Sequence, residues 1–322
     1  MILLLSIEND SHTDAVIEAI RRNKGNYIRL NTDRFMDIDI SFNIDGGEII
    51  LPDGDTFHIN DIGSIWGRRR FLPHMIKNID SKYQMFAKSQ WASFLANLWA
   101  LLDGKEWLNH PSAVEKAKQK IFQLKTASKL GFKTPKTVFT NTVKSVRELS
   151  KIMGSGIVYK PIGHGVLSED DETVVFTSLI KEQDLLDAMD EEIKVAPGIF
   201  QECISKKYEV RVTVVGNRAF AARINSQESK RTQIDWRRYD FANITHYKEE
   251  LPEVIYQRCV CLVQELGLRY GAIDLIVTPQ DEWVFLESNC NGQWLWLEKL
   301  VGLSISDALA SLLVKLDTIN DL

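Results

Sequence analysis

Cysteine is scarce in this 322-residue chain: there are four, Cys203, Cys259, Cys261 and Cys290, and none has CxxC spacing. That excludes a zinc-ribbon cage and a disulfide framework, and the four read as reduced core thiols. No apolar run approaches the roughly 20 residues of a membrane-spanning helix. Residues 1–7 are followed too soon by Glu8 and Asp10 for a signal peptide. The expectation is a cytoplasmic protein with no membrane partner. Positive charge is not in excess either. With 39 Lys and Arg against 44 Asp and Glu, the formal net charge of -5 argues against non-specific nucleic-acid binding, so any basic patch must be local. Neither GxGxxG nor GxxxxGK[ST] occurs, which removes the dinucleotide fingerprint and the Walker A loop. Internal repeats and low-complexity tracts are absent as well.

What is present is an ordinary globular composition, 44% hydrophobic and 26% charged, long enough for two or three domains. Residues 1–110 read as a first domain. A buried strand at 2–7, the N-cap candidates of Asp10-Ser-His-Thr-Asp14, a helix to Arg22 and a strand at 27–30 make a βαβ opening of Rossmann-like α/β type. A hairpin follows around Asp45-Gly-Gly47. The strand at 62–66 then runs into Gly67-Arg-Arg-Arg70, which is either a solvated loop or a holder of carboxylates or phosphates. Residues 81–102 repeat Phe86, Trp91, Phe94, Leu95, Leu98, Trp99 and Leu102 at helical spacing, as a core stripe or a dimer face. Residues 112–130 read as one lysine-rich helix, in which Lys120 sits at the edge of the apolar stripe and is best placed to reach a nucleotide.

The strand at 156–160 ends in Lys160 and runs into a glycine-bearing loop with His164. An ammonium and backbone amides can gather there around a polyphosphate. The strand at 208–215 alternates strictly, so Glu209, Arg211 and Thr213 share one face. Glu209 and Arg211 either pair with each other or bind ribose hydroxyls and an anion. The polar stretch 225–240 sets Trp236 and Tyr239 among Arg231, Asp235, Arg237 and Arg238, as for a peptide-recognition surface. A helix over 252–266 leads to two short strands. In the first, Asp274 sits among apolar neighbours, where a lone charge is costly. The second ends with Glu287 and Asn289 on one side. Three oxygen-bearing side chains thus converge at a hairpin mouth, which suits Mg2+ completed by nucleotide phosphates. The alternative is an exposed hairpin with ordinary end charges. A final helix reaches Leu313.

Taken in order, Lys120, Lys160, Gln201-Glu-Cys-Ile204, Glu209, Arg211, Asp274, Glu287 and Asn289 resemble the ATP-grasp superfamily of ligases. The chain is similar more narrowly to the graspetide synthetases, the microviridin-type peptide macrocyclases. That match is carried by Asp10-Ser-His-Thr-Asp14, Trp66 with its arginines, Trp107-Leu-Asn-His-Pro111, Lys120-Ile-Phe-Gln-Leu124, Ser226-Gln227, Asp235-Trp-Arg-Arg-Tyr-Asp240 and Asn291-Gly-Gln-Trp-Leu-Trp-Leu-Glu298. Cys290 stands where the family commonly has proline, and Gly67 interrupts the aromatic-to-arginine junction. The resemblance implies an ATP-grasp fold behind a Rossmann-like domain: a pre-ATP-grasp domain at 1–110, a central subdomain at 111–198 and a C-terminal subdomain at 199–322. It implies that Lys120 and Lys160 hold phosphates, that backbone at Gln201, Glu202, Cys203 and Ile204 reads adenine, and that Glu209 binds ribose. Asp274, Glu287 and Asn289 would bind Mg2+, and Arg211 would face the transferred phosphoryl group. The implied reaction consumes ATP to close Asp or Glu side chains of a ribosomal precursor peptide onto Ser, Thr or Lys, in a homodimer. Arg231, Arg237 and Arg238, with 68–70, are expected to meet acidic core residues or the leader. The competing reading is an intermolecular carboxylate ligase of the glutamate-adding or glutathione-synthetase type.

Overall fold

The computed structural model describes residues 1–69, 79–154, 156–163, 165, 174–238, 240 and 242–318; Arg70, His164 and Tyr239 lie outside them. The chain opens as the sequence predicts. Strand β1 (Ile2–Ser6) is buried along its whole length. Helix α1 (Ser11–Arg22) is capped by Asp10, whose carboxylate accepts from the amides of His12 and Thr13. Strand β2 (Tyr27–Asn31) returns parallel to β1. Strands β3 (Asp39–Asn43), β4 (Gly46–Ile50) and β5 (Thr56–His58) make a small antiparallel sheet. Strand β6 (Ser64–Gly67) and, after helix α2 (Ser81–Leu101), strand β7 (Glu106–Trp107) complete a parallel sheet in the order β2-β1-β6-β7. The apolar stripe of α2 is core only toward its C-terminal end. Leu95, Leu98 and Leu102 are buried, while Tyr83, Met85 and Phe86 are exposed. A helix of that length runs roughly 30 Å, whereas the strands beneath it span at most about 17 Å.

The single helix predicted over 112–130 is two, α3 (Pro111–Ala117) and α4 (Lys120–Lys129), separated by an extended Gln119. The break has a tertiary cause. Buried Gln123 donates to Ala117 O at 2.7 Å and Ser288 O at 2.8 Å, and accepts from Ser288 N at 2.9 Å. These bonds tie α4 to the end of the sheet that follows, and they place Lys120 at the first position of α4.

Strand β8 (Thr137–Thr140), helix α5 (Val143–Ile152), strands β9 (Ile157–Lys160) and β10 (Ser178–Ile180), helices α6 (Glu182–Asp187) and α7 (Asp190–Val195) and strand β11 (Gly198–Glu202) form the middle of the chain. Their antiparallel sheet runs β10-β9-β11-β8 over a small core of Val146, Ile157 and Phe200. The last third contains β12 (Tyr208–Val215), β13 (Arg218–Ile224), β14 (His246–Glu249), helix α8 (Glu253–Glu265), β15 (Tyr270–Val277), β16 (Trp283–Asn289) and helices α9 (Leu295–Val301) and α10 (Ile305–Asp317). Its antiparallel sheet runs β14-β13-β12-β15-β16. The one final helix predicted from sequence is likewise two. Gly302 takes a left-handed φ of +69° that ends α9, and Glu298 then receives Ser306 N and Oγ at 2.7 and 2.6 Å at the start of α10. Helix α10 packs on α1 and shares one core with β1, Trp66 and Tyr270.

Candidate active site

The middle and last sheets face each other across a cleft of about 220 Å3, lined by Val158, Lys160, Cys203, Glu209, Ile276 and Glu287 among others. A larger cavity of about 1,080 Å3 adjoins it, and the two share Lys160, Thr177, Arg237 and Glu287.

Strand register assembles the polar centre. Arg211 on β12 pairs across to Asp274 on β15, and Asp274 pairs to Glu287 on β16. The ladder shifts between Asp274 and Leu275, a bulge that re-aims the carboxylates at the hairpin mouth. Arg211 Nη1 contacts both oxygens of Asp274, at 2.8 and 2.7 Å. Lys120 Nζ lies 2.5 Å from Glu287 Oε2, and Arg237 Nη1 3.1 Å from Glu287 Oε1. The Asn289 amide is 3.4 Å from an oxygen of each carboxylate. Burial by itself would raise the Glu287 pKa, but Lys120, Arg237 and Lys160 outweigh it and hold Glu287 well below the usual carboxylate range. Asp274 moves the other way: burial and the neighbouring Glu287 charge raise it against the pull of Arg211. The two carboxylates are thus pushed in opposite directions, because Lys120, Arg237 and Lys160 gather around Glu287.

Lys160 donates to Gln201 Oε1 at 2.7 Å, and Gln201 is fixed in turn by Thr137 Oγ1 at 2.9 Å. Burial lowers Lys160 to about 8, with Glu287 opposing and Lys120 and Arg237 adding repulsion. Glu202, Cys203 and Ile204 line the small cleft. The amides of Glu202 and Cys203 are already bonded, to Lys136 O at 2.8 Å and Gly156 O at 3.0 Å. Glu209 is 3% exposed and pairs with Lys206 at 2.9 Å, so it does not pair with Arg211.

The 225–240 stretch divides. Trp236, expected on a recognition surface, is buried with Ile224 and Ile244 and stacks obliquely 5.5 Å from Trp296. Asp235 is 5% exposed and grips Arg237 with both oxygens, at 2.9 and 2.8 Å. Arg237 is therefore tied to the carboxylates, with part of its side chain still open to the cavity. Arg231 and Arg238 line the large cavity, with Arg238 reaching Thr177 O and Ser178 Oγ at 3.4 Å. Arg68 is buried against Asp10 and Asn291, and Arg69 is partly exposed. Sequence reasoning missed Lys206 and Thr177. The three-residue offset from Lys206 to Glu209 was a weak signal for the first; Thr177 left none.

A cleft closed between two antiparallel sheets, with a strand-end lysine on one and a row of carboxylates on the other, defines an ATP-grasp ligase. Comparison with known proteins agrees. Residues 1–115 match the family model described as the MvdD pre-ATP grasp domain. No curated protein sequence matches the chain. Among solved structures, a RiPP-associated ATP-grasp ligase of Chryseobacterium gregarium, in complex with ADP and a leader and core peptide, is 30% identical with a TM-score of 0.88, covering 98% of this chain and 96% of that one. Macrocyclase MdnB of Microcystis aeruginosa MRC is 30% identical with a TM-score of 0.79, covering 97% and 98%. Macrocyclase MdnC of the same organism, bound with precursor peptide MdnA, is 29% identical with a TM-score of 0.84, covering 98% and 99%. The chain belongs to the family of ATP-grasp ligases that act as macrocyclases on ribosomally synthesised peptides.

Proposed function

We propose that this enzyme uses ATP and Mg2+ to phosphorylate Asp or Glu side chains of a ribosomal precursor peptide and then joins each to a Ser or Thr hydroxyl, or a Lys amine, of the same peptide. One observation carries the reading. Among the described residues, the large cavity is lined by Lys118, Lys120, Lys160, Arg231, Arg237 and Arg238 against one carboxylate, Glu287, and it shares lining residues with the smaller cleft. A surface so cationic, in a chain of net charge -5, suits two anions brought together, a triphosphate and an acidic peptide.

Asp274, Glu287 and Asn289 lie together on one side of the hairpin with Asn289 Nδ2 facing both carboxylates, and with the amide turned to present Oδ1 the three would suit Mg2+. Among the described residues no group of three His, Cys, Asp or Glu side chains could hold a metal; in this reading the Asn289 amide would be the third donor. When bound, the ion offsets negative charge on the phosphates. The protein's own groups do the rest. Lys120 and Lys160 hold the phosphates, Glu209 the ribose, and Ile204 N–H with the hinge carbonyls the base. Arg211 lies against the transferred phosphoryl group. A peptide carboxylate attacks the γ-phosphorus, the bond to ADP breaks, and an acyl phosphate forms. The hydroxyl or amine then attacks the carbonyl carbon, loses its proton and expels phosphate. The adjoining walls keep water from the acyl phosphate.

The division at 1–110, 111–198 and 199–322, a cytoplasmic setting and a homodimer belong to the same reading and rest on the family resemblance. Exposed Tyr83, Met85 and Phe86 give the dimer a candidate face; light scattering that finds only monomer at micromolar concentration would remove it. Mass spectrometry tests the reaction. Internal closure removes one water per bond from a single peptide, whereas an intermolecular ligase adds mass. Because Arg237 touches Glu287, the peptide side is best probed elsewhere. Reversing Arg231 and Arg238 to Glu is expected to cut peptide modification by tenfold or more, roughly the scale of lost charge pairs, with ADP affinity little changed; unchanged turnover would refute the assignment.

A further inference from the structure

Asn289 is followed by three residues whose backbone carbonyls are each held by a side chain. Asn109 Nδ2 donates to Cys290 O at 3.1 Å, Arg68 Nη1 to Asn291 O at 2.7 Å, and the Tyr270 hydroxyl to Gly292 O at 2.6 Å. Tyr270 belongs to the sheet that carries the carboxylates. Arg68 and Asn109 do not: one follows β6 and the other follows β7, in the parallel-sheet part of the chain.

Asn109 uses its whole amide for this. Its Oδ1 accepts from Arg269 N at 2.9 Å and Tyr270 N at 3.0 Å, and its Nδ2 also reaches Tyr270 O at 2.8 Å. It is a wedge between the start of β15 and the loop after β16. Arg68 is 2% exposed. Its Nε stands 3.5 Å from Asp10 Oδ2, and Nε and Nη2 have no hydrogen-bond partner among the described residues. A buried guanidinium with two donors unmet is costly, and burial pushes its pKa down. Among the described residues its side chain donates to the Asn291 carbonyl. Gly292 shows how close that loop lies to the chemistry. A Cβ there would fall 2.4 Å from Arg211 Nη2 and 2.4 Å from Ala272 Cβ, so the loop wraps the guanidinium that grips Asp274.

We propose that Arg68 and Asn109 are positioning residues of the metal site: by fixing the carbonyls of 290 and 291 they hold Asn289 and the Arg211–Asp274 pair in the arrangement that receives the divalent cation. The N-terminal region is then a structural part of the Mg2+ site as well as a neighbour of it. This rests on the assignment of Asp274, Glu287 and Asn289 as metal ligands.

The test measures ADP binding by calorimetry in EDTA and across a Mg2+ titration, with thermal unfolding as the check on folding. For Arg68→Met the Mg2+ concentration giving half-maximal enhancement of binding should rise about tenfold, as for lost groups behind a metal ligand. Metal-free ADP affinity should stay near that of the wild type. Arg68→Lys, whose ammonium can still reach one carbonyl, should recover most of the shift. Asn109→Asp keeps both acceptor bonds and loses both donor bonds, so it should produce the same split independently, including where Arg68→Met does not fold. Folded variants with wild-type Mg2+ dependence, or equal losses with and without metal, overturn the proposal. Asp274→Asn separates the two layers. If it leaves the Mg2+ dependence unchanged, the metal assignment itself falls; if it shifts the dependence while Arg68→Met and Asn109→Asp do not, only the positioning role falls.

Discussion

The two sheets that form the cleft are built differently. In the last sheet β12 and β15 are eight residues long and buried at every position, over a core that includes Val210, Val212, Ile273 and Leu275. The middle sheet has strands of three to five residues over a small core cluster of Val146, Ile157 and Phe200. Asp274 and Glu287 stand on the thick layer, and so does Arg211. The thin layer contributes Lys160 and the hinge at 201–204. Groups that must meet within a fraction of an ångström sit where packing locks their rotamers. A phosphate-holding ammonium on a flexible stem tolerates a lighter support.

The sharpest way to break this contrast is to remove a charge from the thick layer. Glu287→Gln should lower turnover by roughly 10³-fold, the scale of a lost electrostatic anchor at a reaction centre, because it also strips Lys120 and Arg237 of their partner. A loss below tenfold in steady-state assays would mean that the carboxylate row is not the reaction centre. Gly292→Ala should come close behind. Its new methyl meets Arg211 and Ala272 at 2.4 Å, and the displaced guanidinium should cost about 10²-fold in kcat.

On the thin layer the effects should be smaller and of another kind. Lys160→Met should weaken ADP binding by roughly tenfold, the magnitude of one charge-assisted contact, with little change in the rate once nucleotide is saturating. Lys160 also titrates near 8 when free. Below that pH it is charged with or without nucleotide. Above it, anionic phosphates restore the proton, so ADP binding should take up protons increasingly between about pH 7.5 and 9 and affinity should fall over the same range. Calorimetry in buffers of different ionisation enthalpy reads this, and the uptake should vanish in Lys160→Arg. The smallest effect concerns stability alone: amides of β9 and β11 should exchange with solvent faster than those of β12 and β15, as expected where few apolar side chains are buried. Equal protection would erase the difference between the layers.

The opening βαβ unit was legible because β1 is a continuous apolar run and Asp10 is a strong cap. The carboxylate row was legible because Asp274 stands alone among apolar neighbours and strand period puts Glu287 and Asn289 on one side. Of the two mis-joined helices the first was not legible, because its break comes from Gln123 bonding the remote Ser288; the second ends at Gly302, a local glycine signal that the apolar spacing on either side masked.

The sequence alone therefore determined which residue types stand on which face of each strand, since that follows from local period and burial of apolar side chains. Only the tertiary structure decided how the charges pair. Glu209 took Lys206 rather than Arg211, Arg237 turned to Glu287, and Trp236 turned inward. Electrostatic partners are chosen by distance in space, and distance in space between remote segments is set by sheet register and by packing between elements far apart in the chain.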